Sequence, residues 1–246
     1  MMAQITVFHT SDIHNKLKTA DFERVGRVKA SVPGALLFDS GDAIWSGNIY
    51  WRIGGEPILK DMSAVPYDAM CVGNREYHLL KIGMDSKISC ADFPILSANL
   101  RAKGDIVPES VPYVSFEREG VKITVVGFTV PCVTEEMFVE KLAYYYFEKP
   151  IPAAEEIVPK LRVDCDLLIA LTHIGIGKDR ELAKKTDIDI IFGGHTHTVT
   201  PEPEFVSGTY ILHSDCHGKF LRKTVIDTDS PNLIASTELI SLKETK

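Results

Sequence analysis

Residues 188–197 read Ile188-Asp189-Ile190-Ile191-Phe192-Gly193-Gly194-His195-Thr196-His197. The run Ile188–Phe192 is short and almost wholly apolar, the pattern of a strand covered on both faces. Two glycines follow, then two histidines at alternate positions, which an extended chain points to one side. One such pair is as consistent with chance as with a metal site. The same pattern recurs at four other strand ends. Ile5–His9 runs into Thr10-Ser11-Asp12-Ile13-His14, Ala35–Phe38 into Asp39-Ser40-Gly41-Asp42, Ala69–Val72 into Gly73-Asn74-Arg75-Glu76, and Leu167–Leu171 into Thr172-His173. Ligands of α/β sheets bind beyond the carboxyl ends of the strands. If these strands are parallel, five clusters of Asp, His and Asn meet at one edge, which unrelated turn formers would not arrange.

Outward from these runs the chain keeps alternating. Further strands are expected at Ile95–Ala98, Lys122–Phe128, Tyr210–His213 and Lys223–Asp227. Helices are expected at Phe22–Val32, Pro57–Val65, Leu80–Ser89, Ala153–Arg162 and Lys178–Thr186. This predicts a layered α/β fold with helices flanking the sheets. Glu117-Arg118-Glu119-Gly120 reads as a hairpin turn, which makes the sheet mixed. The sequence has no internal repeat and no Ser/Gly-rich linker. A single domain over 1–246 is therefore expected, with Asp229-Ser230-Pro231-Asn232 as a turn within it and a last strand from Glu238.

Of 246 residues, 45% are hydrophobic and 25% charged, and the formal net charge is −7. Such a chain is too apolar for disorder and long enough for a sizeable core. The acidic balance excludes a general nucleic-acid binder, which carries a basic surplus. Met1-Met2-Ala3-Gln4-Ile5-Thr6-Val7-Phe8 lacks the basic start and apolar stretch of a secretory signal. No apolar run reaches the length of a membrane span. Cys71, Cys90, Cys132, Cys165 and Cys216 are odd in number, scattered and without a C-x-x-C pair. That argues against a disulfide framework or a cysteine zinc site. A cytoplasmic protein is expected.

Asp12, His14, Asp42, Asn74, His173, His195 and His197 supply two carboxylates, four imidazoles and one amide oxygen. Such donors suit Mn, Fe, Zn, Co or Ni, and do not suit a calcium cage or an iron–sulfur cluster. Seven donors exceed what one ion takes from a protein and suit two divalent ions if one carboxylate bridges them. Paired ions about 3.5–4 Å apart are the usual apparatus for in-line attack on phosphorus. With Arg75 they would make the cleft locally positive, so the global acidity does not exclude a small phosphate-ester substrate.

These motifs resemble the calcineurin-like metallophosphoesterases. Asp12-x-His14, Gly41-Asp42, Gly73-Asn74, His173 and Gly194-His195-Thr196-His197 follow that family's order. The stretches Phe8–His14, Ser97-Ala98-Asn99-Leu100 and Asp189–His195 are similar to ones typical of its 5′-nucleotidase and UDP-sugar hydrolase branch. The resemblance implies a four-layer α/β/β/α sandwich. It implies Asp12, His14 and His197 on one metal, Asn74, His173 and His195 on the other, and Asp42 bridging. The implied reaction is hydrolysis of a phosphate mono- or diester by a metal-bridging hydroxide.

Two departures stand out. The branch usually carries a second, C-terminal domain that stacks the nucleobase between aromatics. Ending at Lys246, this chain is expected to lack it, and nucleotide specificity is then not inherited with the fold. The family also reads Gly-Asn-His-Glu where this chain has Gly73-Asn74-Arg75-Glu76. The resemblance gives that histidine the task of stabilising the transition state or protonating the leaving oxygen. A guanidinium stays charged, with five donors in a fixed fork. Arg75 is expected to clamp phosphoryl oxygens and cannot act as a general acid. His78 shares a face with Arg75 if a helix starts after Asn74. It then either supplies a proton or is a surface helix residue. The exchange at Arg75 also leaves open a metal-bound, non-catalytic scaffold or binding module.

Other residues carry two readings each. Asp39 either bonds a ligand histidine or caps its own turn. His213 and His217 either border the pocket or lie on the surface. Ala143-Tyr144-Tyr145-Tyr146-Phe147 either packs a loop onto the core or lines a pocket. Trp45 and Trp51 are candidates for a substrate-facing wall. Oligomeric state is not legible.

Overall fold

A computed structural model describes residues 4–106 and 108–243. Met1–Ala3 of the N-terminal stretch and the last three residues of the tail lie outside the described residues. Along the chain come β1 (Gln4–Thr10), α1 (Thr19–Ala30), β2 (Leu36–Asp39), α2 (Pro57–Ser63), β3 (Ala69–Cys71), α3 (Lys81–Ile88), β4 (Ile95–Leu96), β5 (Leu100–Ala102), β6 (Tyr113–Arg118) and β7 (Val121–Thr129). Then follow β8 (Tyr145–Phe147), α4 (Pro150–Arg162), β9 (Leu167–His173), α5 (Ile176–Ala183), β10 (Ile190–Gly193), β11 (Glu204–Val206), β12 (Thr209–His213), β13 (Phe220–Asp227) and β14 (Ile234–Ser241).

The strands form two six-stranded sheets, ordered β14-β13-β1-β2-β3-β4 and β11-β12-β10-β9-β7-β6, plus a β5-β8 ribbon. Successive side chains of a strand face opposite ways, and three cores result. Val7, Leu36, Phe38 and Ala69 of one sheet meet Ile169, Leu171, Ile190 and Phe192 of the other. Their neighbours Phe8, Leu37 and Met70 turn outward onto Phe22 and Val25 of α1, Leu59 of α2 and Ile88 of α3. Leu168, Ala170 and Ile191 turn outward onto Ala154 and Val158 of α4 and Leu182 of α5. This is an α/β/β/α sandwich, and each buried Leu, Ile or Phe contributes about 1.5–3 kcal/mol. Near-continuous apolar strands follow from burial on both faces.

Strands β1, β2, β3 and β4 run parallel, as do β7, β9, β10 and β12. Antiparallel strands flank both groups, so both sheets are mixed. Glu119 (φ 51°) and Gly120 (φ 78°) make the expected hairpin turn between β6 and β7. The two carboxyl edges meet. The Ser40 hydroxyl, just past β2, donates to the Phe192 carbonyl of β10 at 2.7 Å and lies 2.8 Å from His9 Nε2 of β1.

Several boundaries differ from expectation. The strand expected at Ile95–Ala98 stops at Leu96 because the next amides leave the first sheet. Ser97 and Ala98 donate to the carbonyls of Val111 and Gly127. Helix α4 begins at Pro150 rather than Ala153, since proline is favoured at the first helical position. Strand β14 begins at Ile234 rather than Glu238, and pairs with β13 along its length. Its half-exposed, polar residues carry little apolar signal.

Candidate metal centre

The five strand-end clusters converge. The loop after β1 lies along the loop after β2: the amides of Asp12, His14 and Asn15 donate to the carbonyls of Gly41, Asp42 and Ala43 at 2.9–3.0 Å. Asp12, His14, Asp42, His195 and His197 all have left-handed backbone, with φ between 49° and 77°. Such conformations cost side-chain-bearing residues on the order of 1–3 kcal/mol each and cluster at functional sites. Five of the seven expected ligands adopt one. Two glycines make this close packing possible. A β-carbon on Gly73 would collide with the Asp42 amide and the Glu76 carboxylate, and one on Gly194 with Ser11 Oγ and Asp12 Oδ2.

One half of the site is closed and cross-linked. Asn74 Oδ1 lies 3.0 Å from His195 Nδ1 and 3.2 Å from His173 Nε2. His173 Nδ1 donates to the Ser40 carbonyl at 2.8 Å, which sets the ring and leaves Nε2 facing inward. His173 Nε2 is also 3.5 Å from Asp42 Oδ1. Asp42 Oδ1 accepts the Arg75 amide at 2.8 Å. The His195 amide donates to Asp12 Oδ2 at 3.0 Å. Glu76, wholly buried, accepts the amides of Asp42, Gly73 and Ile44 at 2.8–3.2 Å and ties two ligand loops together.

The other half is more open. His14 Nε2 and His197 Nε2 face each other at 3.0 Å, and Asp12 Oδ1 lies 3.4 Å from His197 and 3.8 Å from His14. Donor atoms of Asp12, His14 and Asp42 fall within 4.8 Å of one another, as do those of His14, His197 and His217. His14 Nδ1 is buried with no hydrogen-bond partner among the described residues.

Burial pushes the Asp12 and Asp42 carboxyls up, but the facing histidines outweigh it and hold both below the ordinary carboxylate range. Burial pulls His173 down, the Asp42 and Asp12 carboxylates pull it up further, and it ends at about 10. His197 is raised by its hydrogen bond to Asp12. His14 and His195 are lowered by burial. Imidazole nitrogens aimed at one another, an unpartnered buried ring nitrogen and ionised carboxylates without thiolates fit divalent cations bound through N and O. Asp12, His14 and His197 gather on one side and Asn74, His173 and His195 on the other, and Asp42 lies near both groups.

Arg75 sits at this centre. Its Nε is 3.4 Å from Asp42 Oδ2, its Nη1 donates to the Trp45 carbonyl at 2.7 Å, and its guanidinium lies 4.9 Å from the Trp45 ring centroid. Lys16 Nζ is 5.2 Å from the same ring, and the ring is 6.0 Å from that of His14. Trp45, exposed, therefore walls the open half between two cations.

His78 is placed differently from the helical reading. Residues 74–76 form a turn and α3 starts only at Lys81, so no helical face joins Arg75 to His78. The ring is buried. Its Nδ1 accepts the Leu80 amide at 3.0 Å, and its Nε2 donates to the Ile49 carbonyl at 3.1 Å. Trp51 packs against it at 4.9 Å. Asp39 caps its own turn, accepting the Gly41 amide at 2.8 Å. His213 is buried against Asp179 at 2.6 Å, away from the surface. Tyr145 and Phe147 are core residues. Sequence reasoning passed over Glu76 and Lys87. Fully buried Lys87 donates to the carbonyls of Gly47, Arg75 and Tyr77 at 2.6–2.9 Å. A lysine on an otherwise apolar helix face, such as Ile88 and Met84 define, is the signal that could have found it.

Residues 5–199 match the calcineurin-like phosphoesterase family, and the chain belongs to it. It is 30% identical to the 5′-nucleotidase of Rattus norvegicus over 86% of this chain and 42% of that protein. It is 29% identical to the trifunctional nucleotide phosphoesterase protein YfkN of Bacillus subtilis over 93% of this chain and 19% of that protein. The chain thus spans less than half of these relatives. Among solved structures, the NAD nucleotidase of Haemophilus influenzae superposes with a TM-score of 0.79 at 19% identity, covering 98% of this chain and 55% of that one. The calcineurin-like phosphoesterase YfkN from Bacillus subtilis superposes with a TM-score of 0.77 at 22% identity, over 98% and 92%. No helix among the described residues is long and apolar enough to cross a membrane.

Proposed function

We propose that this domain binds two divalent cations drawn from Mn, Fe, Zn, Co and Ni, and hydrolyses a small phosphate mono- or diester, nucleotide-like in kind. The convergence of Asp12, His14, Asp42, Asn74, His173, His195 and His197 from five strand ends carries this reading. When bound, such a pair supplies Lewis acidity toward a phosphoryl group and lowers the pKa of coordinated water. The chain's own residues do the rest. His173, held by the Ser40 carbonyl, and His195, held by Asn74 and Asp12, keep their rings aimed at one point. Arg75 holds a fixed positive charge beside Asp42, where phosphoryl oxygens would be neutralised. Trp45 gives a flat wall against which a base or aromatic leaving group would stack. His78, with both ring nitrogens engaged by backbone, holds the loop that carries Trp51 and Ile49; its geometry gives no support to proton donation. The five cysteines are free, which accords with a cytoplasmic, reducing location.

The test is turnover of p-nitrophenyl phosphate and bis-p-nitrophenyl phosphate by metal-free protein reconstituted with each cation in turn. Hydrolysis with at least one cation is expected. No turnover with any of them would instead favour a metal-bound, non-catalytic scaffold.

A further inference from the structure

We propose that His217 is an additional ligand of the cation held by Asp12, His14 and His197. This rests on the metal reading of that half of the site. Three observations carry it. The rings of His14, His197 and His217 form a near-equilateral triangle, with centroids 5.1, 5.4 and 5.5 Å apart and planes inclined by 58–66°. One donor atom from each lies within 4.8 Å of the other two. Three equidistant nitrogens sharing one ion at about 2.0–2.1 Å lie at most about 3.6 Å apart, so the donor atoms need close by no more than about 1.2 Å.

The backbone is also built to hold His217 there. Its amide donates to the Asp12 carbonyl at 2.7 Å, which ties the loop after β12 directly to the first ligand loop. His217 takes left-handed backbone, φ 60°, as do Asp12, His14, Asp42, His195 and His197. Gly218 lets the loop close onto Leu17, whose side chain fills the space a β-carbon would need. The Cys216 thiol lies 3.5 Å from His217 Nδ1, which leaves Nε2 for a metal.

The consequence is a five-donor site of Asp12, His14, Asp42, His197 and His217, one more than tetrahedral zinc takes. Such a site suits six-coordinate cations. The two halves then differ in occupancy, and the open half binds its cation with the larger protein donor set.

Calorimetric titration of metal-free protein with Mn(II) reads both sites. Asparagine tolerates left-handed backbone, so His217→Asn is the test variant. It should weaken one binding event about tenfold or more and leave the other within about twofold. His197→Asn should weaken the same event, and Asn74→Ala the other. Electron spin echo modulation from bound imidazole nitrogen in the Mn(II) protein should become shallower in His217→Asn. Urea denaturation of the metal-free variant checks its fold, and His217→Gln replaces it if asparagine is not tolerated. Unchanged constants and modulation in the His217 variant, with His197→Asn weakened, overturn the proposal. Unchanged constants with a shifted acid limb of the pH–rate profile also overturn it, and make His217 a proton donor. If His197→Asn is likewise unaffected, the metal reading of that half fails, a distinct result.

Discussion

The two halves of the candidate centre use the same residue types and solve different problems. Around Asn74, His173 and His195, nearly every polar atom is engaged by protein, and His173 is fully buried with its ring set by the Ser40 carbonyl. Around His14, His197 and Trp45, His14 Nδ1 has no partner, the His197 side chain is 41% exposed, and an exposed tryptophan forms the wall. The cross-linked half has its donor atoms tied by protein hydrogen bonds, whereas the open half leaves its donors nearer solvent. Pre-organisation in one and access in the other follow from which loops each half borrows. The closed half is roofed by the core strands β9 and β10. The open half is walled by Trp45, which opens the irregular segment after Ile44.

The largest effect should come from Asp42, whose Oδ1 lies 3.5 Å from His173 Nε2 in one half and which shares a donor cluster with Asp12 and His14 in the other. Asp42→Asn should lower kcat/KM by about a thousandfold or more, through loss of several kcal/mol of transition-state charge stabilisation. It should also weaken both metal-binding events, and a variant that lost only one would break the symmetry assigned to this residue. Next is Arg75. Arg75→Ala should cost about a hundredfold in kcat with metal stoichiometry intact, as removal of one preorganised donor does. Arg75→Lys should recover charge and not the stacking on Trp45. Wild-type activity in the alanine variant would remove arginine from the mechanism.

Below these comes His78. If it positions the 45–55 loop, His78→Ala should raise KM severalfold and leave the acid limb of the pH–rate profile where it is. A lost acid limb would restore the proton-donor role. The smallest effect concerns the floor under the arginine. Burial pulls Lys87 down to about 8, against the pull of Glu76 and Glu56. Between pH 8 and the ordinary lysine value the unfolded chain carries a proton that the folded one has released. Wild-type stability relative to Lys87→Met should therefore rise with pH across that window, by up to about 1.4 kcal/mol per unit. Urea midpoints at both ends of the window read this, and a flat difference would mean the ammonium is fully compensated by its three carbonyls. Lys87→Met should itself destabilise by about 2–3 kcal/mol, by leaving those carbonyls buried without a donor.

The strand ends were legible because burial on both faces demands short apolar runs, and Asp, Asn and His just beyond them break the run in plain view. Arg75 could be singled out as a fixed charge among those residues from its type alone. The helical placement considered for His78 does not hold because its environment comes from the Ile49 carbonyl and Trp51, about 30 residues away in sequence. His217 gave two equal readings because a single histidine after β12 has no local partner. Only the hydrogen bond from its amide to Asp12 brings it to His14 and His197.

Local composition thus determined which residues could bear the chemistry, the alternation of strands and helices, the acidic balance of the chain and the thiolate-free donor set. Those properties depend on side-chain type and short spacing. Tertiary structure decided how the strands divide between two sheets, which half of the centre is closed, and why Asp12, His14, Asp42, His195, His197 and His217 accept left-handed backbone. These depend on hydrogen bonds and contacts between segments far apart in the chain, whose energy offsets local strain only once both sheets are packed.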